Sequence, residues 1–137
     1  MQTNRKGGFT LVELMVVAII VAILAAVAIP LMSGNKKRAV ATEGQAGCST
    51  VRTAVRVYQA ENGALPASGT AVTALPGITT NDLNGSYFSD GSYAYALAGD
   101  VYTITATSDK GPAVGGTVIL TVTNSTGASG WGGTLLQ

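Results

Sequence analysis

Hydrophobic side chains follow each other along this chain in changing rhythms. From Phe9 to Met32 they run almost without a break, and Glu13 is the one charged residue among them. A helix over residues 9–32 would rise roughly 36 Å, enough to cross a hydrocarbon layer of about 30 Å. Beyond Lys36-Lys37-Arg38 the spacing becomes that of an amphipathic helix. Val40, Gly44, Gly47, Cys48, Val51, Ala54, Val55 and Tyr58 recur at intervals of three and four and mark one face. Asn62-Gly63 followed by Pro66 is a stop signal. Between the two stretches, Pro30 has no N–H to donate, and Ser33-Gly34-Asn35 are weak helix formers. The pattern predicts one long helix interrupted near Pro30; the simpler alternative is that Pro30 ends the first helix.

The rhythm then shortens to two. Residues 67–86 read as a loop of Ala, Thr, Gly and Asn, after which three segments alternate. Tyr93, Tyr95 and Leu97 share one face, as do Tyr102, Ile104 and Ala106, and Val118, Leu120 and Val122. Ala98-Gly99-Asp100 is a hairpin connection, Ser108 to Gly116 is a longer one, and Gly127 to Gly133 around Trp131 reads as a loop. These elements predict an α+β fold, in which the long N-terminal helix packs its stripe against a small antiparallel sheet of about three strands, with Tyr58 between them. Gly44 and Gly47 each cost helix stability by about 1 kcal/mol relative to Ala, unless a close-packed surface needs them small.

Composition narrows the function. The chain has 137 residues, one domain's worth, and only 11% of them are charged. Eight basic and seven acidic residues give a net charge of +1, which argues against a specific nucleic-acid partner. There is no histidine, and Cys48 is the only cysteine. No internal disulfide can form, no metal or cofactor site is expected, and no enzyme active site is recognisable. Cys48 sits among apolar neighbours at helical spacing and reads as a small core residue. Asp82, Asp90, Asp100 and Asp109 are scattered in loops; turn aspartates explain them better than an oxygen-ligand calcium site. Asn84-Gly-Ser86 and Asn124-Ser-Thr126 fit a glycosylation sequon that is too frequent by chance to use. Arg52, Arg56 and the 36–38 cluster read as solvated faces or as ion pairs to neighbouring subunits, ahead of DNA or anionic lipid.

Glu13 is the oddity of the apolar run. A carboxylate in a membrane segment costs roughly 2.5–3.5 kcal/mol when central and less near an end, so it needs a partner or a proton. Its surroundings, Lys6-Gly7-Gly8-Phe9-Thr10-Leu11-Val12-Glu13, resemble the processing motif of type IV pilins and the related pseudopilins. That motif joins a short basic leader ending in Gly to a Phe at the new N-terminus and a Glu five residues into the mature chain. Pro30 also falls where the family often breaks its long helix. The motif match covers roughly residues 5–35; beyond it the similarity is one of architecture.

The resemblance implies a leader at 1–8, an apolar membrane and assembly helix at 9–35, an amphipathic helix at 36–63 and a β region at 64–137. It implies cleavage between Gly8 and Phe9 by prepilin peptidase, N-methylation of Phe9, and pairing of Glu13 with the Phe9 amine of a subunit already assembled. Phe9, Glu13 and Pro30 would then be the assembly residues. The partners implied are copies of the chain in a helical filament and an inner-membrane platform with its ATPase. The chain would reside in the inner membrane before assembly, then in an extracellular pilus. A type IV pilus subunit is the leading expectation. The alternative is a pseudopilin of a type II secretion or DNA-uptake apparatus, forming a periplasmic pseudopilus. The family often closes its C-terminal region with a disulfide, which this chain cannot do. A secreted β-rich binding domain stays open as well, because Ala26-Val27-Ala28 resembles a conventional signal-peptide cleavage site. Positive charges flank both ends of the apolar run, Arg5 and Lys6 against Lys36, Lys37 and Arg38, so charge counting alone leaves the topology a near tie.

Overall fold

The computed structural model describes residues 8–137, apart from the side chains of residues 30–33. Helix α1 spans Leu11–Asn62, and the chain divides into two compact units, Met1–Asn35 and Lys36–Gln137. The basic leader residues Arg5 and Lys6 lie outside the described residues. So does the side chain of Pro30.

The interruption expected near Pro30 is absent from the backbone, which stays helical through residues 30–35. A proline removes one intrahelical hydrogen bond, whereas propagation is cooperative once a helix is nucleated on both sides. The strong formers on each side, Ile23-Leu24-Ala25-Ala26 and Lys36-Lys37-Arg38-Ala39, carry the helix across the weak stretch.

In the second unit, four antiparallel strands form a meander in the order β1 (Tyr93–Ala98), β2 (Val101–Thr107), β3 (Thr117–Thr123) and β4 (Ser129–Gly132). The register aligns Tyr95, Ile104, Leu120 and Trp131 in one row, and Tyr93, Ala106 and Val118 in the next. The alternating positions chosen by sequence are the inward ones: Tyr93, Tyr95, Tyr102, Ile104, Ala106, Val118, Leu120 and Val122 are all buried. Gly99, at φ +61°, makes the tight β1–β2 connection that a side chain would strain.

Strand β4 was not expected. Its residues, Ser-Gly-Trp-Gly, show no apolar alternation and have low strand propensity. It forms because β3 would otherwise leave a row of backbone groups unpaired. The 67–86 segment likewise contributes more than a loop. Val72, Leu75, Ile78 and Leu83 are buried, as is Phe88 just beyond, and a 3₁₀ turn over Val72–Ala74 brings the first of them inward.

Against this sheet lies the stripe of α1: Val40, Ala41, Cys48, Val51, Ala54 and Val55 are buried in one core with the strands. The two glycines set how closely helix and sheet approach. A Cβ on Gly44 would stand 2.9 Å from Phe88 Cζ and 3.0 Å from Val118 Cγ2. One on Gly47 would stand 2.1 Å from Tyr93 Oη and 2.4 Å from its Cζ. The Tyr93 ring has little room to yield, since it packs on Phe88 with centroids 5.8 Å apart.

Cys48 is fully buried on the same stripe, its Sγ 3.7 Å from the carbonyl oxygen of Ile104. Burial pushes its thiol up from 9.0 to about 12. The neighbouring Tyr93 phenol is also raised, mainly by desolvation.

Two outcomes follow from this core. Gly44→Ala and Gly47→Ala should each destabilise the folded unit by about 1–3 kcal/mol, because overpacking outweighs the gain of about 1 kcal/mol in helix propensity. Thermal unfolding of the full chain in detergent measures this; a rise in midpoint would contradict it. Cys48 should resist alkylation at pH 8 in the native chain and react once unfolded. Because the folded thiol holds its proton more tightly, the stability it contributes is complete below pH 9 and declines as pH rises toward 12. Cys48→Ala should flatten that alkaline decline in a pH series of unfolding midpoints.

Candidate assembly surface

The N-terminal site is built by a helix start. Gly8, Phe9 and Thr10 precede α1 in non-helical backbone, and Phe9 is 85% exposed. The bond between Gly8 and Phe9 therefore lies outside the helix. Thr10 is the residue before the first helical one, and Glu13 stands three further on. The two close a capping box. Thr10 N and Thr10 Oγ1 both donate to Glu13 Oε2 at 2.8 Å, and Glu13 N donates back to Thr10 Oγ1 at 3.3 Å. Glu13 is thus a helix cap as well as a charge, and Thr10 shares the site with it. The T-x-x-E spacing was its signal. Both bonds from Thr10 go to Oε2, which fixes the orientation of the carboxylate.

From this cap the apolar helix runs with its side chains uncovered. Phe9, Leu11, Val12, Leu14 and the large apolar residues through Ile29 are all exposed. By length and composition α1 can cross a membrane.

The second unit supplies a folded head whose polar groups are largely committed to their own loops. Glu43, on α1, accepts from the N–H groups of Tyr87 at 2.8 Å and Phe88 at 3.2 Å, tying the loop to the helix. Gly85 permits this, since a Cβ there would stand 2.2 Å from Glu43 Oε1. Arg52 spans to the β3–β4 hairpin: Nη1 donates to Ser129 Oγ and Nη2 to the Gly127 carbonyl, each at 3.3 Å. It serves as an internal clamp, contrary to the solvated or intersubunit role expected for it, and its Nε is buried without an acceptor. Arg56 is exposed as expected.

The loop aspartates are all engaged, Asp82 within a turn of its own and the other three across separate segments. Asp82 accepts from Thr79 N and Oγ1 at 2.7 and 2.8 Å, bonds that hold its carboxyl below the usual range. Asp90 accepts from the N–H groups of Asn81 and Leu83, and Asp100 from Ser125 N. Asp109 accepts from Ser89 Oγ, which lowers its carboxyl as well. Among the described residues no cluster of three or more His, Cys, Asp or Glu is placed to hold a metal ion.

Comparison with known proteins bears on both units. Residues 3–29 match the family described as a prokaryotic N-terminal methylation motif, and residues 37–134 match the family described as pilin, a bacterial filament protein. A type II secretion system core protein G of Aeromonas hydrophila is 32% identical over 100 residues, covering 73% of this chain and 70% of that protein. The protein of the same name from Vibrio cholerae is 30% identical over 112 residues, or 79% and 76%. A type IV major pilin, PilE1 of Neisseria gonorrhoeae, is 39% identical over 87 residues, or 64% of this chain and 39% of the pilin. With a methylation motif leading into an uncovered apolar helix, and a helix-on-sheet head matched over nearly its whole length, this chain belongs to the pilin family.

Proposed function

We propose that the chain is a pseudopilin, a subunit staged in the inner membrane and polymerised into the fibre of a type II secretion apparatus. The observation that carries this reading is the recurrence, over most of the chain, of relatives named type II secretion system core protein G. This reverses the order in which the sequence alone ranks the two systems. The type IV pilus remains the second reading, favoured by the 39% identity to the gonococcal pilin.

The site suggests how assembly proceeds. Prepilin peptidase cuts between Gly8 and Phe9, turning an interior residue into a cationic, N-methylated terminus. That cation then sits at the positive end of a helix dipole, an unfavourable place worth about 0.3–1 kcal/mol, and gains by meeting a carboxylate. Glu13 Oε1 of an incoming copy, oriented by the cap on Thr10, supplies one. In a medium of low dielectric the two charges attract strongly, provided that their geometry is good. The pairing fixes axial register, while the Leu, Ile and Val side chains provide packing without direction. Pro30 would matter to assembly through the packing of its stretch of helix.

Deleting the gene in its host and complementing it tests both the system and the site. The expected result is loss of protein export to the medium with surface pili retained. Wild-type chain restores export; Glu13→Ala leaves a stable, membrane-held subunit that forms no fibre. Loss of pili or twitching with export intact would move the chain to the pilus reading, and loss of DNA uptake alone to an uptake apparatus. Normal fibres from Glu13→Ala would refute the assigned role of that carboxylate.

A further inference from the structure

We propose that Lys36, Lys37 and Arg38 form a binding surface for anionic lipid headgroups, which holds the unassembled subunit at a fixed depth on the membrane face opposite the leader. The inference rests on the reading of residues 9–32 as a membrane span. Lys36 is four positions beyond Met32. That is about 6 Å along a helix, and at most roughly 14 Å in extended chain. Headgroups occupy about 5–7 Å on each side of the hydrocarbon. The three cations therefore fall at or just outside the headgroup layer whatever the geometry of the intervening turn.

Their surroundings leave them available. All three are exposed. The acids of the same unit are engaged elsewhere: Glu43 on the amides of Tyr87 and Phe88, Asp82, Asp90 and Asp100 on loop amides, and Asp109 on the Ser89 hydroxyl. Glu61 is the exception, and it lies on the same helix about 35 Å away from Arg38. No aromatic residue occurs between Phe9 and Tyr58 to serve as an interfacial anchor.

Helix geometry aims the three cations usefully. The Cα–Cβ bonds of an α-helix tilt toward its N-terminus, so these long side chains lean back along the chain toward the apolar run, as snorkelling cations do. At about 100° per residue the trio sweeps roughly 200° of the helix circumference. Lys36 and Lys37 stand one turn before the buried Val40 and Ala41, on the core side, whereas Arg38 precedes the exposed Thr42. The core begins two residues after Arg38, so the cations open the folded unit, immediately beyond the apolar run in sequence.

The full-length chain in nanodiscs of mixed phosphatidylcholine and phosphatidylglycerol provides the test, read by native mass spectrometry of the lipids retained. Wild type should retain phosphatidylglycerol over phosphatidylcholine by about fivefold per engaged cation at low salt, and lose most of the preference at 1 M salt. The variant K36Q/K37Q/R38Q should insert and fold normally yet show no preference, while K36R/K37R should keep it. Equal retention of the two lipids by wild type, or an unchanged preference in the triple Gln variant, would overturn the inference. Unchanged lipid preference with weakened cross-linking between copies would assign the trio to subunit contacts instead. Failure of the wild-type chain to insert would overturn the membrane reading as well.

Discussion

Between Phe9 and Ile29, fourteen large apolar side chains have no protein to cover them. Burying one such side chain is worth about 1.5–3 kcal/mol, so the run represents on the order of tens of kcal/mol. The whole folding stability of a domain is only about 5–15 kcal/mol. The helix must therefore be covered by lipid or by other helices, and every other feature of the N-terminal unit answers to that requirement. Lipid covers it without selecting a partner or a register. Between helices in a bilayer the hydrophobic drive vanishes, which leaves packing and polar pairing to organise copies. A single oriented carboxylate near the start of the run suits that need, because one directional contact can fix a register that many non-directional ones cannot.

The head unit solves a different problem. It has no disulfide, and its cohesion comes from the fit of a helix onto a four-stranded sheet. Gly44 and Gly47 bring the two layers close enough for Phe88 and Tyr93 to fill the space a side chain would take. Glu43 and Arg52, both on the helix, then tie down the loop before β1 and the hairpin beyond β3. Two charged groups on the helix thus stabilise loops, while the cations at residues 36–38 stand exposed just beyond the apolar run.

Much of this was legible in the sequence, and the reasons are local. The inward faces of β1, β2 and β3 follow from alternation, the helical stripe from its three-and-four spacing, and the tight helix–sheet approach from two glycines that would otherwise only weaken a helix. What was missed depends on contacts distant in sequence. Strand β4 exists through β3's unpaired edge, and the inward turn of Val72, Leu75 and Ile78 through the hydrophobic surface beneath them. Arg52 meets Gly127 and Ser129 across more than seventy residues, a pairing that no pattern announces. The cap joining Thr10 to Glu13 is written in the T-x-x-E spacing, but the cost of a charge in an apolar run dominates how Glu13 reads. At Pro30, intrinsic propensity suggested a break that cooperative helix propagation overrides.

The central claim is that the apolar helix is an assembly surface released by cleavage immediately before Phe9. Mass spectrometry of the mature chain, recovered from fibres sheared or isolated after overproduction, tests it most directly. The account predicts a chain that starts at N-methylated Phe9 and retains the whole apolar run. A chain that starts near Ile29 and occurs only in the soluble medium would contradict it, since the helix would then be a discarded signal and the folded head a secreted domain.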